Sequence, residues 1–172
     1  MMEFVYAYAY FVLYAFLGWV CEDLYCGISA KKFINRGFFY GPYCPIYGVG
    51  ALLVLYPLLF VKDYPILVFI LGVIITSTLE YITSWVMEIL FKTRWWDYSE
   101  RFMNINGRVC LLNSTLFGIM SIVVVYIIHP VIQDIVLDIP LTALMSFLSA
   151  FTIGFGIDCV FTVLALLRRK KV

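Results

Sequence analysis

Two carboxylic acids stand inside long apolar segments of the chain, where a charge is costly. Glu80 lies 11 residues before Phe91, and Asp158 lies 10 residues before Arg168. At about 1.5 Å per helical residue, each carboxyl is placed roughly 15 Å from the basic segment that follows it, close to the middle of a bilayer. Ionisable groups at that depth are rare and are kept mainly for function or for binding partners. The pair therefore predicts a midplane site for a cation, a proton or a small substrate.

Neutral polar residues accompany both acids at helical spacing. Thr76 and Ser84 lie one turn either side of Glu80, and Thr162 lies one turn after Asp158. No Lys or Arg occurs at this depth in any apolar segment. The partners of the acids are then neutral groups, the other carboxyl through a shared proton, or a bound cation. The alternative is that protonated carboxyls only hold helices together.

A second pair of acids lies one turn from the ends of apolar segments. Glu22 and Glu88 stand near basic residues of the following connections, Arg36 and Arg108. We interpret these four residues as structural ion pairs at the inner mouth of the protein.

Motifs for enzyme chemistry are missing from the sequence. It contains no HExxH, GxSxG or CxxC pattern and no nucleotide-binding loop of the form GxxxxGK[ST]. We expect no catalytic residues, no cofactor and no ATP hydrolysis by this chain itself. A metal site formed by Cys26, Cys44 and Cys110 is disfavoured by their spacing, and the thiols are expected to be reduced.

The amino-acid composition indicates that membrane-spanning helices position the acids. Hydrophobic residues make up 64% of the chain and charged residues 13%, whereas soluble domains are about 25% charged. The chain is therefore predicted to be an all-α polytopic membrane protein with a single integral domain in a cell membrane. A net charge of +1 gives no indication of a nucleic-acid partner.

Five segments meet the length of roughly 20 apolar residues that a membrane-spanning helix needs. They are residues 4–25, 42–61, 65–91, 108–128 and 140–167. His129, followed by Pro130, is expected to end the fourth span on the outer side without a catalytic role.

Basic residues predict the orientation of these spans. Of 12 Lys and Arg residues, 11 fall in three of the segments that flank the spans. Connections rich in Lys and Arg stay on the cytoplasmic side, so the N-terminus is predicted outside and the C-terminus inside. The three basic segments contain Lys31, Lys32 and Arg36; Lys92, Arg94, Arg101 and Arg108; and Arg168, Arg169, Lys170 and Lys171.

Two inner connections contain unusual residues. Pro42 and Pro45 prevent regular helix at the entry to the second span. This stretch either faces the protein interior at membrane depth or forms a plain surface loop. In the other connection, Trp95, Trp96 and Tyr98 are interpreted as anchors at the level of the lipid headgroups.

A weak internal repeat relates the first two spans to the next two. Trp19 and Glu22 close the first span in the pattern with which Trp85 and Glu88 close the third. Both copies run in the same direction, which predicts a parallel duplication of a two-helix hairpin with one extra helix.

The loop motifs resemble those of the ABC-transporter permease family called CmpB-like, or type IV, from about residue 12 to residue 130. These motifs are FLGW at 16–19, NRGFFYGPYCPIYG at 35–48, LEY at 79–81, TRWWDYS at 93–99 and NINGR at 104–108. The resemblance implies the membrane subunit of a transporter whose ATPase is a separate chain that docks on residues 92–108. Five spans are few for a complete pathway, so a homo-oligomer or a second membrane subunit is expected. A non-transporting scaffold or regulatory subunit is the alternative.

Overall fold

A computed structural model describes residues 2–30 and 38–169, with side chains for residues 2–24 and 38–166. All regular structure in these ranges is helical, as the composition predicts. Helix α1 covers Met2–Ala30, α2 Pro45–Leu58 with a final 3-10 turn Leu59–Val61, and α3 Pro65–Phe91. Helix α4 covers Leu111–Val123 and continues through a π turn, Val124–Ile128, into α5, His129–Asp138. Helix α6 covers Leu141–Arg169.

Four helical stretches are long and apolar enough to cross a membrane, namely Met2–Leu24, Pro65–Phe91, Leu111–Asp138 and Leu141–Leu166. The protein is therefore an α-helical polytopic membrane protein. The predicted second span is represented by a shorter apolar helix, Pro45–Val61. At about 1.5 Å per residue it is roughly 25 Å long. It begins after a non-helical stretch, residues 38–44, which we call the 38–44 segment.

The helix of the predicted fourth span does not stop at residue 128, where the sequence predicts that the crossing ends. Helix continues through His129 and Pro130 to Asp138, because the π turn widens the helix just before the proline. The backbone N–H of His129 bonds to the carbonyl of Val124, five residues back. Local π geometry of this kind re-pairs the backbone groups that a proline disturbs. Ile132 and Val136 then continue the buried face.

The described chain divides into two compact units. The first contains Met1–Val49 and Asp134–Val172, and the second contains Gly50–Gln133. In the first unit α1 contacts α6, where the Tyr8 hydroxyl lies 2.8 Å from Thr152 Oγ1. Helix α1 also packs closely against the first turn of α2, because a Cβ on Gly48 would lie 2.6 Å from the carbonyl oxygen of Phe11.

In the second unit α3 and α4 pack through small residues. A Cβ on Gly72 would lie 2.6 Å from Ser121 Oγ, and a Cβ on Gly118 would lie 2.7 Å from Phe69 Cε2. Such close approach is typical of helix pairs inside membranes, where small residues let backbones pack tightly. Glu80 lies on α3, within this helix pair.

We predict that Gly118→Leu lowers the free energy of unfolding by about 1–3 kcal/mol, the usual effect of overpacking a tight contact. The measurement is thermal unfolding in detergent. Gly156→Leu is the matched control, because a Cβ at Gly156 would have no contact within 4 Å from another part of the described chain. Equal unfolding temperatures for the two variants would contradict the close helix contact.

Candidate functional site

Asp158 receives hydrogen bonds from helix and from non-helical backbone. Its Oδ1 accepts from Thr162 Oγ1 at 2.9 Å and from the backbone N–H of Tyr40 at 3.2 Å. Its Oδ2 accepts from the backbone N–H of Gly41 at 2.8 Å and from the hydroxyl of Tyr43. All four groups donate, so the arrangement fits an ionised carboxylate.

The 38–44 segment reaches Asp158 because it is not helical. Pro42 and Pro45 interrupt helix formation. Gly41 leaves room for the Tyr43 ring, since a Cβ there would lie 2.6 Å from Cζ of Tyr43. The Tyr43 ring packs among aromatic rings of α6, with centroids 5.6 Å from Phe151 and 5.2 Å from Phe155. Of the two alternatives for this stretch, the structure supports packing against the protein interior.

Glu80 is contacted by the loop that joins α3 to α4, residues 92–110, which we call the α3–α4 loop. The Glu80 side chain is buried, and the Tyr98 hydroxyl donates to its Oε1 at 3.1 Å. Asn113 Nδ2 in turn donates to the Tyr98 hydroxyl at 2.6 Å. Glu80 lies 11 residues, or roughly 16 Å, before the end of α3, and the loop together with the Tyr98 side chain spans that distance. The interfacial interpretation of Tyr98 did not include this internal role.

Local turns give the α3–α4 loop its shape. Helix α3 ends at Lys92, which adopts a left-handed conformation with φ 56° and donates its N–H to the carbonyl of Glu88. Gly107 also has positive φ, 69°, and a Cβ there would lie 2.5 Å from both Asp97 Oδ1 and Ser99 Oγ. Hydrogen bonds from the hydroxyl and the backbone N–H of Ser99 lower the pKa of Asp97. These turns make the loop a folded structure that can present Tyr98.

Arg108 begins the return of the loop into α4 and is buried, with 9% of its surface exposed. Its Nη2 lies 2.5 Å from Glu88 Oε2, and its Nη1 donates to Ser84 Oγ at 3.3 Å. The guanidinium also lies 5.7 Å from the centre of the Tyr81 ring. Arg94 Nε binds the other oxygen of Glu88 at 3.0 Å, and this hydrogen bond raises the pKa of Arg94. Glu88 is therefore held between two arginines, of which the sequence indicated Arg108.

The remaining predicted residues have other partners. Thr76 donates to the carbonyl of Gly72 in its own helix at 2.7 Å, and Ser84 is engaged by Arg108 as described above. Glu22 accepts a hydrogen bond from the Tyr47 hydroxyl at 2.5 Å. Arg36 lies outside the described residues, so its pairing with Glu22 stays a prediction.

Glu80 and Asp158 belong to different units, and a site shared by both stays a prediction. A tyrosine hydroxyl donates to each of the three acids Asp158, Glu80 and Glu22, which was not predicted from the sequence. The signal available was that Tyr43 and Tyr98 stand in segments rich in glycine, proline or asparagine next to spans. Among the described side chains, no three His, Cys, Asp or Glu residues are grouped so that they could hold a metal ion.

Comparison with known proteins gives one family. The sequence model of a family described as "Putative ABC-transporter type IV" matches residues 9–163. No curated protein and no solved structure matches the chain.

We predict that Tyr98→Phe lowers the free energy of unfolding by about 1–2 kcal/mol, because a buried carboxyl loses a hydrogen-bond donor. The α3–α4 loop should also open more often, so trypsin should cleave faster after the exposed Arg101. Tyr64→Phe is the control, because Tyr64 is 68% exposed and lies in another connection of the same unit. Identical cleavage rates for both variants would show that the Tyr98 hydroxyl does not hold the loop.

Proposed function

This chain belongs to the CmpB-like, type IV ABC-transporter family, and from that membership we propose that it is the membrane-embedded, permease-type subunit of a transporter. The observation that carries the proposal is that non-helical segments reach both acids predicted at the midplane. Tyr43 and the backbone of the 38–44 segment bind Asp158, and Tyr98 of the α3–α4 loop binds Glu80. Glu80 with Thr76 and Ser84, and Asp158 with Thr162, are the residues proposed to bind a cation, a proton or a small substrate, each set within its own unit.

A path with five crossings supports this role. The four long helical stretches and the shorter helix Pro45–Val61 together give the odd number that the basic residues require. The short helix is roughly 25 Å long, whereas the hydrocarbon core is about 30 Å thick. The 38–44 segment extends this crossing, and non-helical backbone is tolerated at membrane depth where protein covers it. In this proposal the N-terminus lies outside and the C-terminus inside.

The proposed duplication gains support from two glutamates. Glu22 near the end of the first span accepts a hydrogen bond from Tyr47 of the next helix. Glu88 near the end of α3 is bound by Arg108, just before the next helix. Each glutamate thus connects an outside-to-inside helix to the chain that follows it, as a repeated hairpin requires.

The α3–α4 loop is the proposed docking site for a separate ATPase. Its tip carries three large apolar side chains that are mostly exposed: Phe102 is 78%, Met103 64% and Ile105 59% exposed. The exposed basic residues Lys92 and Arg101 lie on the same loop. On the aqueous inner side such an apolar tip is stable when a partner covers it. ATP hydrolysis is proposed to occur on that partner, and a homodimer or a second membrane subunit would complete the pathway.

We predict that an ATP-hydrolysing chain can be cross-linked to the α3–α4 loop in native membranes, with the cross-linked chain identified by mass spectrometry. Phe102→Ser should lower its recovery about tenfold or more, because a buried Phe contributes roughly 1.5–3 kcal/mol. Phe60→Ser is the matched control, since Phe60 is 82% exposed in the connection between α2 and α3. Recovery should be unchanged in that variant.

If no ATP-hydrolysing chain is cross-linked to the wild-type protein, the transporter-subunit proposal fails and the scaffold alternative takes its place. Equal recovery with Phe102→Ser and Phe60→Ser would overturn the docking site. Glu80→Gln separates the two parts of the proposal, because it should retain the ATPase while it impairs transport.

A further inference from the structure

A groove borders Asp158 on one side of α6. Its volume is about 490 Å³, which falls within the range of roughly 300–1,000 Å³ that is usual for small-molecule sites. All of its lining residues belong to the first compact unit. They include Tyr40, Gly154, Ile157, Asp158, Phe161 and Leu164.

The groove has a negative charge with no cationic partner in the described chain. Four donors hold the carboxylate of Asp158, and each is electrically neutral. The ion pairs between described side chains join Glu88, Arg94, Asp97 and Arg108, and none of these pairs includes Asp158. A carboxylate in an apolar segment without an opposite charge is costly. A cationic ligand in the groove would remove that cost.

The remaining walls indicate which kind of cation fits. The aromatic residues Tyr40 and Phe161 line the groove, together with the aliphatic residues Ile157 and Leu164. Aromatic faces attract organic cations, quaternary ammonium groups above all. A small inorganic cation such as Ca²⁺ needs six or more oxygen ligands, whereas Asp158 is the only acidic residue among the described residues that line the groove. The lining therefore favours a lipophilic organic cation.

We propose that this groove binds lipophilic organic cations of the quaternary ammonium or phosphonium class, with Asp158 as the counter-charge. Tyr40 and Phe161 contact the cation with their rings, and the aliphatic side chains contact its substituents. The inference deepens the proposed function, on which it rests, by naming the substrate class of the site at Asp158.

Gly154 gives a way to close the groove without disturbing the fold. Among the described residues, no atom beyond the helix's own backbone and the adjacent residues lies within 4 Å of a Cβ built on Gly154, and the same is true of Gly156 on the same helix. Only Gly154 lines the groove. A leucine at position 154 should fill the groove, whereas a leucine at position 156 should leave it open.

The experiment is equilibrium dialysis of the purified chain in zwitterionic lipid nanodiscs against tetraphenylphosphonium, with empty nanodiscs subtracted. Tetraphenylborate serves as the ligand control because it has nearly the same shape and the opposite charge. The wild-type chain should bind tetraphenylphosphonium saturably and tetraphenylborate not at all. Asp158→Asn and Gly154→Leu should each weaken binding about tenfold or more. Asp134→Asn and Gly156→Leu, which change the same kind of residue in the same unit, should bind like the wild type.

The inference is overturned if the wild-type chain binds neither ion saturably, if it binds both equally, or if Gly154→Leu binds like Gly156→Leu. Gly154→Leu keeps the test decisive if Asp158→Asn does not fold. The assay needs neither ATPase nor transport, so its failure leaves the cross-linking result at the α3–α4 loop intact. Conversely, saturable binding without a cross-linked ATPase would leave the groove as a cation site on a chain that is not a transporter subunit.

Discussion

A carboxyl group in the middle of a bilayer needs hydrogen-bond donors, because lipid supplies none. In this protein a tyrosine hydroxyl from a non-helical segment meets that need for each of the two acids predicted at the midplane. Tyr43 donates to Asp158, and Tyr98 donates to Glu80. The other unusual features follow from these two contacts. The 38–44 segment must avoid helix and bend at Gly41, and the α3–α4 loop must turn sharply at Lys92 and Gly107.

The hydrogen bond from Tyr98 to Glu80 connects α3 to the α3–α4 loop, which is the proposed docking site for an ATPase. The α3–α4 loop carries Tyr98 to Glu80, and its exposed tip carries Phe102 and Met103 only a few residues later. Arg108 fixes the other end of the loop on Glu88 and Ser84. A partner that moves the tip would therefore change the hydrogen bond to Glu80. Under the proposed function, this continuity would be the physical route from ATP hydrolysis on a partner chain to Glu80, entirely inside one compact unit.

Local patterns in the sequence were enough to predict some of these structural features. Hydropathy identified the membrane helices, the prolines identified the irregular 38–44 segment, and nearness along the chain indicated that Glu88 binds Arg108. Contacts between distant residues leave no such pattern. Tyr40 and Asp158 are separated by 118 positions, so no periodicity relates them. Tyr98 was interpreted as an interfacial anchor because aromatic residues beside a span usually have that role. The helix through Pro130 was missed because a π turn has no sequence signature comparable to that of a proline.

The central claim is that the two acids hold these two segments in place, each in its own unit. Hydrogen–deuterium exchange measured by mass spectrometry on the wild-type protein, Glu80→Met and Asp158→Leu tests it most directly. Both substitutions keep apolar volume and remove the hydrogen-bond acceptor. Glu80→Met should raise exchange in residues 92–110 about tenfold, the effect of losing roughly 1.4 kcal/mol of hydrogen-bonding free energy, and leave residues 38–44 unchanged. Asp158→Leu should do the reverse. Equal exchange of both segments in all three proteins would contradict the account.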